Sequence, residues 1–301
     1  MTSKFRAIMT SFRLRTLPLS LAGVILGVFL AASEFKISLW TALLLFLTTV
    51  LLQILSNLSN ELGDTLSGTD SEDRQGPAYS LEEGALGIPE MKRIISVIAT
   101  LCALSGCAMV WASFGTLFCL DSLILLVLGA LAIMAAMRYT LGPHPYGYRG
   151  LGDIAVFIFF GLVSVLGAYY VAAHTIPSAL LVMPAAAIGL FSVGVLNVNN
   201  IRDMKTDAPN RVTVAMKLGV KRARIYHTIL ICTGWLLLIL FTFLYDYSLW
   251  HFIFILTLPL YIIHLKGVWT RTERALDPML PILVMSTFLL SLLMGLSFIL
   301  F

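Results

Sequence analysis

Two short stretches of this 301-residue chain gather side chains that suit hard cations. The first reads Asn57-Leu-Ser-Asn60-Glu61-Leu-Gly-Asp64 and continues to Asp70 and Asp73-Arg74-Gln75-Gly76-Pro77. The second reads Asn197-Val-Asn199-Asn200-Ile-Arg202-Asp203-Met-Lys205-Thr-Asp207. Asn57, Asn60 and Asp64 stand at relative positions 0, 3 and 7, as do Asn200, Asp203 and Asp207. On a helix that spacing stacks side chains along one face, about a turn apart. Each stretch then presents a strip of oxygen ligands. Asn60, Asp64, Asp203 and Asp207 are the main candidates; Asn57, Asp70 and Asn200 are further ones. Mg²⁺ favours oxygen and usually takes one or two carboxylates with substrate phosphates and water. Two facing strips would hold Mg²⁺ against a diphosphate and neutralise the charge that grows as diphosphate departs. Arg74, Arg202, Lys205 and Arg211 lie within a few residues of the strips and would grip the remaining phosphate oxygens. One such stretch alone also describes a solvated helix end. The matched pair, each running into an apolar helix, argues for a shared site. Glu82, Glu83 and Glu90 read instead as solvated charge ahead of a helix N-terminus.

The elements that must carry these strips are membrane spans. The chain is 59% hydrophobic and 12% charged, with a mean hydropathy of +0.93; a soluble domain carries about a quarter charged residues. Apolar runs near the ~20 residues needed to cross a bilayer predict nine helices, near residues 17–32, 38–60, 94–113, 121–137, 153–173, 177–199, 225–244, 248–265 and 279–300. The fold class is therefore an all-α polytopic membrane protein, with residues 1–301 forming one transmembrane domain. The basic leader and first apolar run read as an uncleaved first helix, because further spans follow at once. With nine spans, every lysine and arginine except Lys36 falls on one face, and only Glu34, Asp121 and Asp246 among the carboxylates lie opposite. The positive-inside rule makes the basic face cytoplasmic, with the N-terminus inside. A secondary transporter would place ionisable groups near the bilayer midplane; here they collect at one surface, as suits a charged head group on a lipid tail. Cys102, Cys107, Cys119 and Cys232 have no metal-ligand spacing. No D-G-x-x-A-R motif of a CDP-alcohol phosphotransferase occurs.

These motifs resemble those of the UbiA superfamily of intramembrane aromatic prenyltransferases. The resemblance rests on Arg13-Leu-Arg15-Thr16-Leu17-Pro18, the Asn57–Pro77 stretch, the loop from Arg138 to Asp153, and Leu196 through Asn210. That family has nine helices, an NDxxD-type motif after the second and a DxxxD motif after the sixth. Here the first is Asn60-Glu61-Leu-Gly-Asp64, with Glu61 where the family has Asp, and the second is Asp203-Met-Lys-Thr-Asp207. The Tyr146-Gly-Tyr148-Arg-Gly-Leu-Gly-Asp153 segment is similar to that of family members making menaquinone from 1,4-dihydroxy-2-naphthoate. The resemblance implies a Mg²⁺ cofactor, a polyprenyl diphosphate donor, the naphthoate acceptor with loss of CO₂, and no nucleic acid. It also implies a bacterial cytoplasmic (inner) membrane with lipid around the tail. The nearest rival acceptor is 4-hydroxybenzoate; other members make haem O, chlorophyll or tocopherol. Residues Gly142 to Gly152 form a Gly/Pro/Tyr loop able to fold compactly over a site, making Tyr139, Tyr146, Tyr148 and Asp153 candidates for substrate contact. Arg15, with Arg13, is a candidate for an acceptor carboxylate.

Overall fold

The computed structural model describes residues 3–68, 79–207 and 211–301, and for Ser3, Thr206 and Asp207 the backbone alone. Asp70 and Arg74 lie outside the described residues. A short helix α1 (Ser3–Ser11) precedes α2 (Leu17–Glu34), α3 (Leu39–Ser67), α4 (Ile88–Phe114) and α5 (Leu120–Arg138). There follow α6 (Gly152–Ala173), α7 (Ala179–Arg202), α8 (Val214–Tyr245), α9 (Leu249–Thr270) and α10 (Glu273–Leu300). Among the described residues, nine helices are long and apolar enough to cross a membrane, and there are no strands. The nine predicted spans are all present.

Local chemistry sets the helix starts. Pro18 sits in the first turn of α2, where its missing N–H costs nothing. Ser38 caps α3 by accepting from the Thr41 amide at 3.3 Å. The ends depart from the sequence reading in one direction: α3 runs on to Ser67, so Asp64 lies within the helix, and α8 begins at Val214. α8 changes direction at Gly219, whose φ of 72° is left-handed.

Packing follows from lipid as the outer solvent. In α5 only Ser122 is buried, while Leu123, Ile124, Val127, Leu131 and Met134 face outward. Such a surface belongs against hydrocarbon rather than water. α2 packs on α3, α6 and α10, and α7 on α6, α8 and α10, whereas α5 leans on α3 and α4. The interior cluster includes Phe191, Phe241, Phe254, Tyr261 and Leu290. The basic ends of the spans gather at one end of the bundle, where Asp64 meets Tyr148, Asn197 meets the Ala223 carbonyl, Arg202 meets Asp277 and Arg224 meets the Arg271 carbonyl. Within α6 the 11 residues Phe157–Gly167 are π-helical, a winding that recurs at functional sites.

Candidate active site

The first acidic strip is an uninterrupted helical face. Asn57, Asn60 and Asp64 all line one cavity. Asp64 Oδ1 accepts from the Tyr148 hydroxyl at 2.6 Å. Asn60 Oδ1 accepts from Thr140 Oγ1 at 3.2 Å, and the same hydroxyl reaches the Ser59 carbonyl at 2.8 Å. This contact needs Gly63, because a Cβ there would stand 2.5 Å from the Thr140 Cβ and 2.7 Å from its carbonyl oxygen. The Asn57 amide is spent on structure: Nδ2 donates to the Phe12 carbonyl at 2.9 Å and Thr16 Oγ1 at 3.2 Å, and Oδ1 accepts from Gln53 at 3.1 Å. Glu61 turns away from the cavity. Its Oε1 accepts from Ser80 Oγ at 2.8 Å and the Leu81 amide at 2.9 Å, and Ser11 Oγ donates to Ser80 at 2.7 Å. The longer acid thus ties α1 and the 79–81 segment to α3.

The second strip is broken. α7 ends at Arg202, Asp203 is its C-cap, and Met204–Asp207 is a separate short helix. Asp203 lines the cavity, whereas Asn200 is buried beside the Tyr139–Asp153 loop with Oδ1 unpartnered. The side chain of Asp207 lies outside the described residues. Arg202 lines the cavity but is engaged: Nε and Nη2 grip both oxygens of Asp203 at 2.8 and 2.7 Å, Nη1 donates to Asp277 at 2.6 Å, and Nη2 also reaches Asn199 at 2.8 Å. Lys205 is exposed, does not line the cavity, and pairs with Glu273; that hydrogen bond raises its pKa. Arg211 lines the cavity, hydrogen-bonds Tyr139, and stands 5.6 Å from the centroid of the Tyr148 ring.

The loop of tyrosines folds over both strips. Gly147 lies against Tyr139, its amide donating to the Tyr139 carbonyl at 2.9 Å, and a Cβ on it would come within 2.8 Å of that ring. Tyr139 and Tyr146 meet edge to face at 5.3 Å, and the Tyr146 hydroxyl donates to the Ala135 carbonyl at 2.8 Å. The Tyr148 carbonyl accepts from the Val212 amide at 3.0 Å, clipping the loop to the segment after the second strip. Asp153 is buried and accepts from Tyr226 at 2.9 Å, outside the main cavity. Burial raises the Tyr139 pKa against the opposing pull of Arg211. Burial, with Tyr139 adding, raises Tyr146 to about 12, and burial followed by the Asp64 charge raises Tyr148. At neutral pH all three phenols are hydrogen-bond donors. None is a base.

The cavity occupies about 820 Å³. Its polar mouth holds Asn60, Asp64, Tyr139, Asp203 and Arg211, and its body is apolar, with Leu45, Met109, Leu128, Phe160 and Val163 from α3, α4, α5 and α6. Arg13 and Arg15 also line it. Arg13 holds a left-handed φ of 49°, its guanidinium lies 3.9 Å from the centroid of Tyr79, and Nε and Nη2 are buried without hydrogen-bond partners. The profile of the UbiA prenyltransferase family matches residues 20–293.

The chain belongs to the UbiA prenyltransferase family. It is an integral membrane prenyltransferase with multiple spans. A 1,4-dihydroxy-2-naphthoate octaprenyltransferase of Escherichia coli is 41% identical over 293 residues, covering 97% of this chain and 94% of that protein. The Haemophilus influenzae protein of the same name is 37% identical over 289 residues, 95% and 93% of the two chains. A UbiA homologue from Aeropyrum pernix K1, solved in its apo form, shares the fold at a TM-score of 0.65 and 18% identity, over 99% of this chain and 97% of that one. UbiA prenyltransferases generally use a metal ion. Among the described residues no group of three or more His, Cys, Asp and Glu could hold a metal by itself. The cavity donors Asn60, Asp64 and Asp203 are all oxygens, which fits a hard cation completed by phosphate oxygens and water.

Sequence reasoning missed Asp277 and the hydrogen bond from Thr140 to Asn60. Asp277 stands 75 residues from Arg202, and nothing local in the sequence marks it.

Proposed function

We propose that this prenyltransferase transfers a polyprenyl group from polyprenyl diphosphate to 1,4-dihydroxy-2-naphthoate, with loss of CO₂, giving the hydroquinone form of a demethylmenaquinone in menaquinone synthesis. One observation carries the reading: carboxylates from two distant stretches, Asp64 and Asp203, line the mouth of a cavity whose body is apolar. Such a shape receives a diphosphate at one end and an isoprenoid tail at the other. The names of the relatives support the acceptor.

Asn60, Asp64, Asp203 and Asp207 would hold Mg²⁺, which supplies charge stabilisation to the departing diphosphate. Arg211, at the mouth, binds phosphate oxygens, as would Arg74. Arg13 and Arg15 both line the cavity, and together they take the acceptor carboxylate. Tyr139 and Tyr148, kept neutral, donate hydrogen bonds and hold the loop closed over the mouth. The apolar wall of α4, α5 and α6 keeps water from the allylic cation while the electron-rich ring attacks. The new ring–prenyl bond forms, the ring–carboxylate bond breaks, and diphosphate and CO₂ leave. The whole chain acts as one unit in a bacterial cytoplasmic membrane. The gathering of basic residues at the mouth favours its facing the cytoplasm.

The test supplies purified protein in liposomes with one polyprenyl diphosphate, Mg²⁺, and either the naphthoate or 4-hydroxybenzoate. Diphosphate and CO₂ should appear in equal amounts with the naphthoate alone. Turnover of 4-hydroxybenzoate with none of the naphthoate would overturn the acceptor and keep the family.

A further inference from the structure

Arg202 is a heavily committed cation, and it has little left for a substrate. Its guanidinium spends the Nε/Nη2 edge on both oxygens of Asp203, Nη1 on Asp277 and a second Nη2 bond on Asn199. The side chains of Arg202 and Asp203 are 2% and 6% exposed, and that of Asp277 is 33% exposed. Four bonds at fixed angles lock the guanidinium plane, and with it the Asp203 carboxylate, because the fork is rigid.

The charge count matters as much as the geometry. A lone buried Arg202–Asp203 pair would be closed and neutral, with weak attraction for a cation. Asp277 adds a second carboxylate to the same guanidinium, so the trio carries one net negative charge. The other Asp277 oxygen lies 3.7 Å from Arg15, whose side chain is 43% exposed and screened by water. Asp277 therefore offsets part of the Arg202 charge that Asp203 would otherwise meet alone.

We propose that Asp277, at the start of the last span, is a positioning residue of the second acidic motif: it shares Arg202 with Asp203, fixing that carboxylate's direction and preserving its charge for the metal–diphosphate complex. This rests on the function proposed above, and it assigns Arg202 to positioning rather than to gripping phosphate. It also joins three distant parts of the chain at one carboxylate: the end of α7, the first turns of α10 and the connector between α1 and α2.

The test measures Mn²⁺ binding to the detergent-purified full chain with inorganic diphosphate, following free Mn²⁺ by electron paramagnetic resonance. Thermal unfolding is recorded on each variant. Asp277→Asn should weaken Mn²⁺ binding about tenfold, the scale seen when a partner behind a metal ligand is removed. Asp277→Glu keeps the charge but displaces it, and should weaken binding about threefold. A purely structural residue would lower the unfolding temperature without that order in Mn²⁺ affinity. Wild-type affinity in the folded variants, or in Asp277→Glu alone if Asp277→Asn does not fold, overturns the proposal. So does a wild-type protein that binds no Mn²⁺ with diphosphate. A wild-type protein that binds Mn²⁺ and diphosphate, shows this graded loss and yet prenylates no acceptor would support Asp277 and sink the proposed function.

Discussion

The two acidic strips share one spacing and differ in how the fold uses it. On α3 the helix continues past Asp64, so positions 0, 3 and 7 all reach the cavity, as one helical face must. At the end of α7 the helix stops at Arg202, and the three positions part: Asn200 is buried under the tyrosine loop, Asp203 faces the cavity, and Asp207 belongs to the next short helix. The first strip is oriented by its own backbone and trimmed by Thr140 and Tyr148. The second is oriented by an ion-pair network drawn from another span. Identical spacing therefore does not mean identical mechanics: one motif is local, the other tertiary.

The largest expected effect would show that both strips nonetheless serve one site. Asp64→Ala and Asp203→Ala should each lower turnover ~10²–10³-fold or more, the scale lost when charge stabilisation of a departing group is removed. Both variants should remain membrane-inserted and monodisperse, because each change is at the polar mouth of the bundle. Raising Mg²⁺ should rescue neither. A large loss in one variant with normal turnover in the other would break the shared-site reading and leave a single-motif enzyme.

What the sequence disclosed follows the same division. Asp64 was legible because its 0, 3, 7 spacing with Asn57 and Asn60 extends the face of the predicted 38–60 helix, and the Gly/Pro/Tyr composition marked the 142–152 loop. Arg202 was read as a phosphate grip because a cation beside an acid suggests one. The sequence cannot display that Asp277, 75 residues on, takes the same guanidinium. The first turns of α8 were missed because Lys217, Lys221, Arg222 and Arg224 mask a helix that continues to the interface. α1 was missed for the same reason, with Lys4 and Arg6 within it. Glu61 looked like a conservative change in a ligand motif, and only packing reveals where the additional methylene reaches.

An intermediate effect sharpens the account of the local strip. Tyr148→Phe removes the hydroxyl that donates to Asp64 at 2.6 Å. The Mg²⁺ concentration giving half-maximal velocity should rise about tenfold, with a smaller change at saturating Mg²⁺. The pH profile supplies an independent sign check. Burial and then the Asp64 charge hold the Tyr148 pKa above its ordinary value, so the phenol stays protonated as pH rises and its hydrogen bond persists. Wild-type velocity should therefore show no alkaline loss absent from the Phe variant up to about pH 9.5. A wild-type-only decline below that pH would mean the phenol ionises and that its contact with Asp64 is weaker than drawn.

The smallest expected effect is at Glu61, in the middle of the first motif. Glu61 Oε1 accepts from Ser80 Oγ and the Leu81 amide, and its second oxygen is buried without a partner. Glu61→Gln keeps an Oε1 acceptor for both donors and removes a buried charge that makes no ion pair among the described residues. The loss of charge assistance and the relief of desolvation oppose each other, each on the order of 1–2 kcal/mol. Turnover should stay within about twofold of wild type, and the unfolding temperature should shift by no more than about 4 °C. Glu61→Ala should instead leave the Ser80 hydroxyl and Leu81 amide unpaired, at a cost of about 1–3 kcal/mol for each buried group. That loosens α1 and the 79–81 segment, and stability should fall before chemistry does. If Glu61→Gln abolishes turnover as Asp64→Ala does, while its unfolding temperature holds, then Glu61 swings into the mouth during catalysis. The first strip would then depend on a neighbour's movement as the second depends on Asp277, and the division between a local and a tertiary motif would fail.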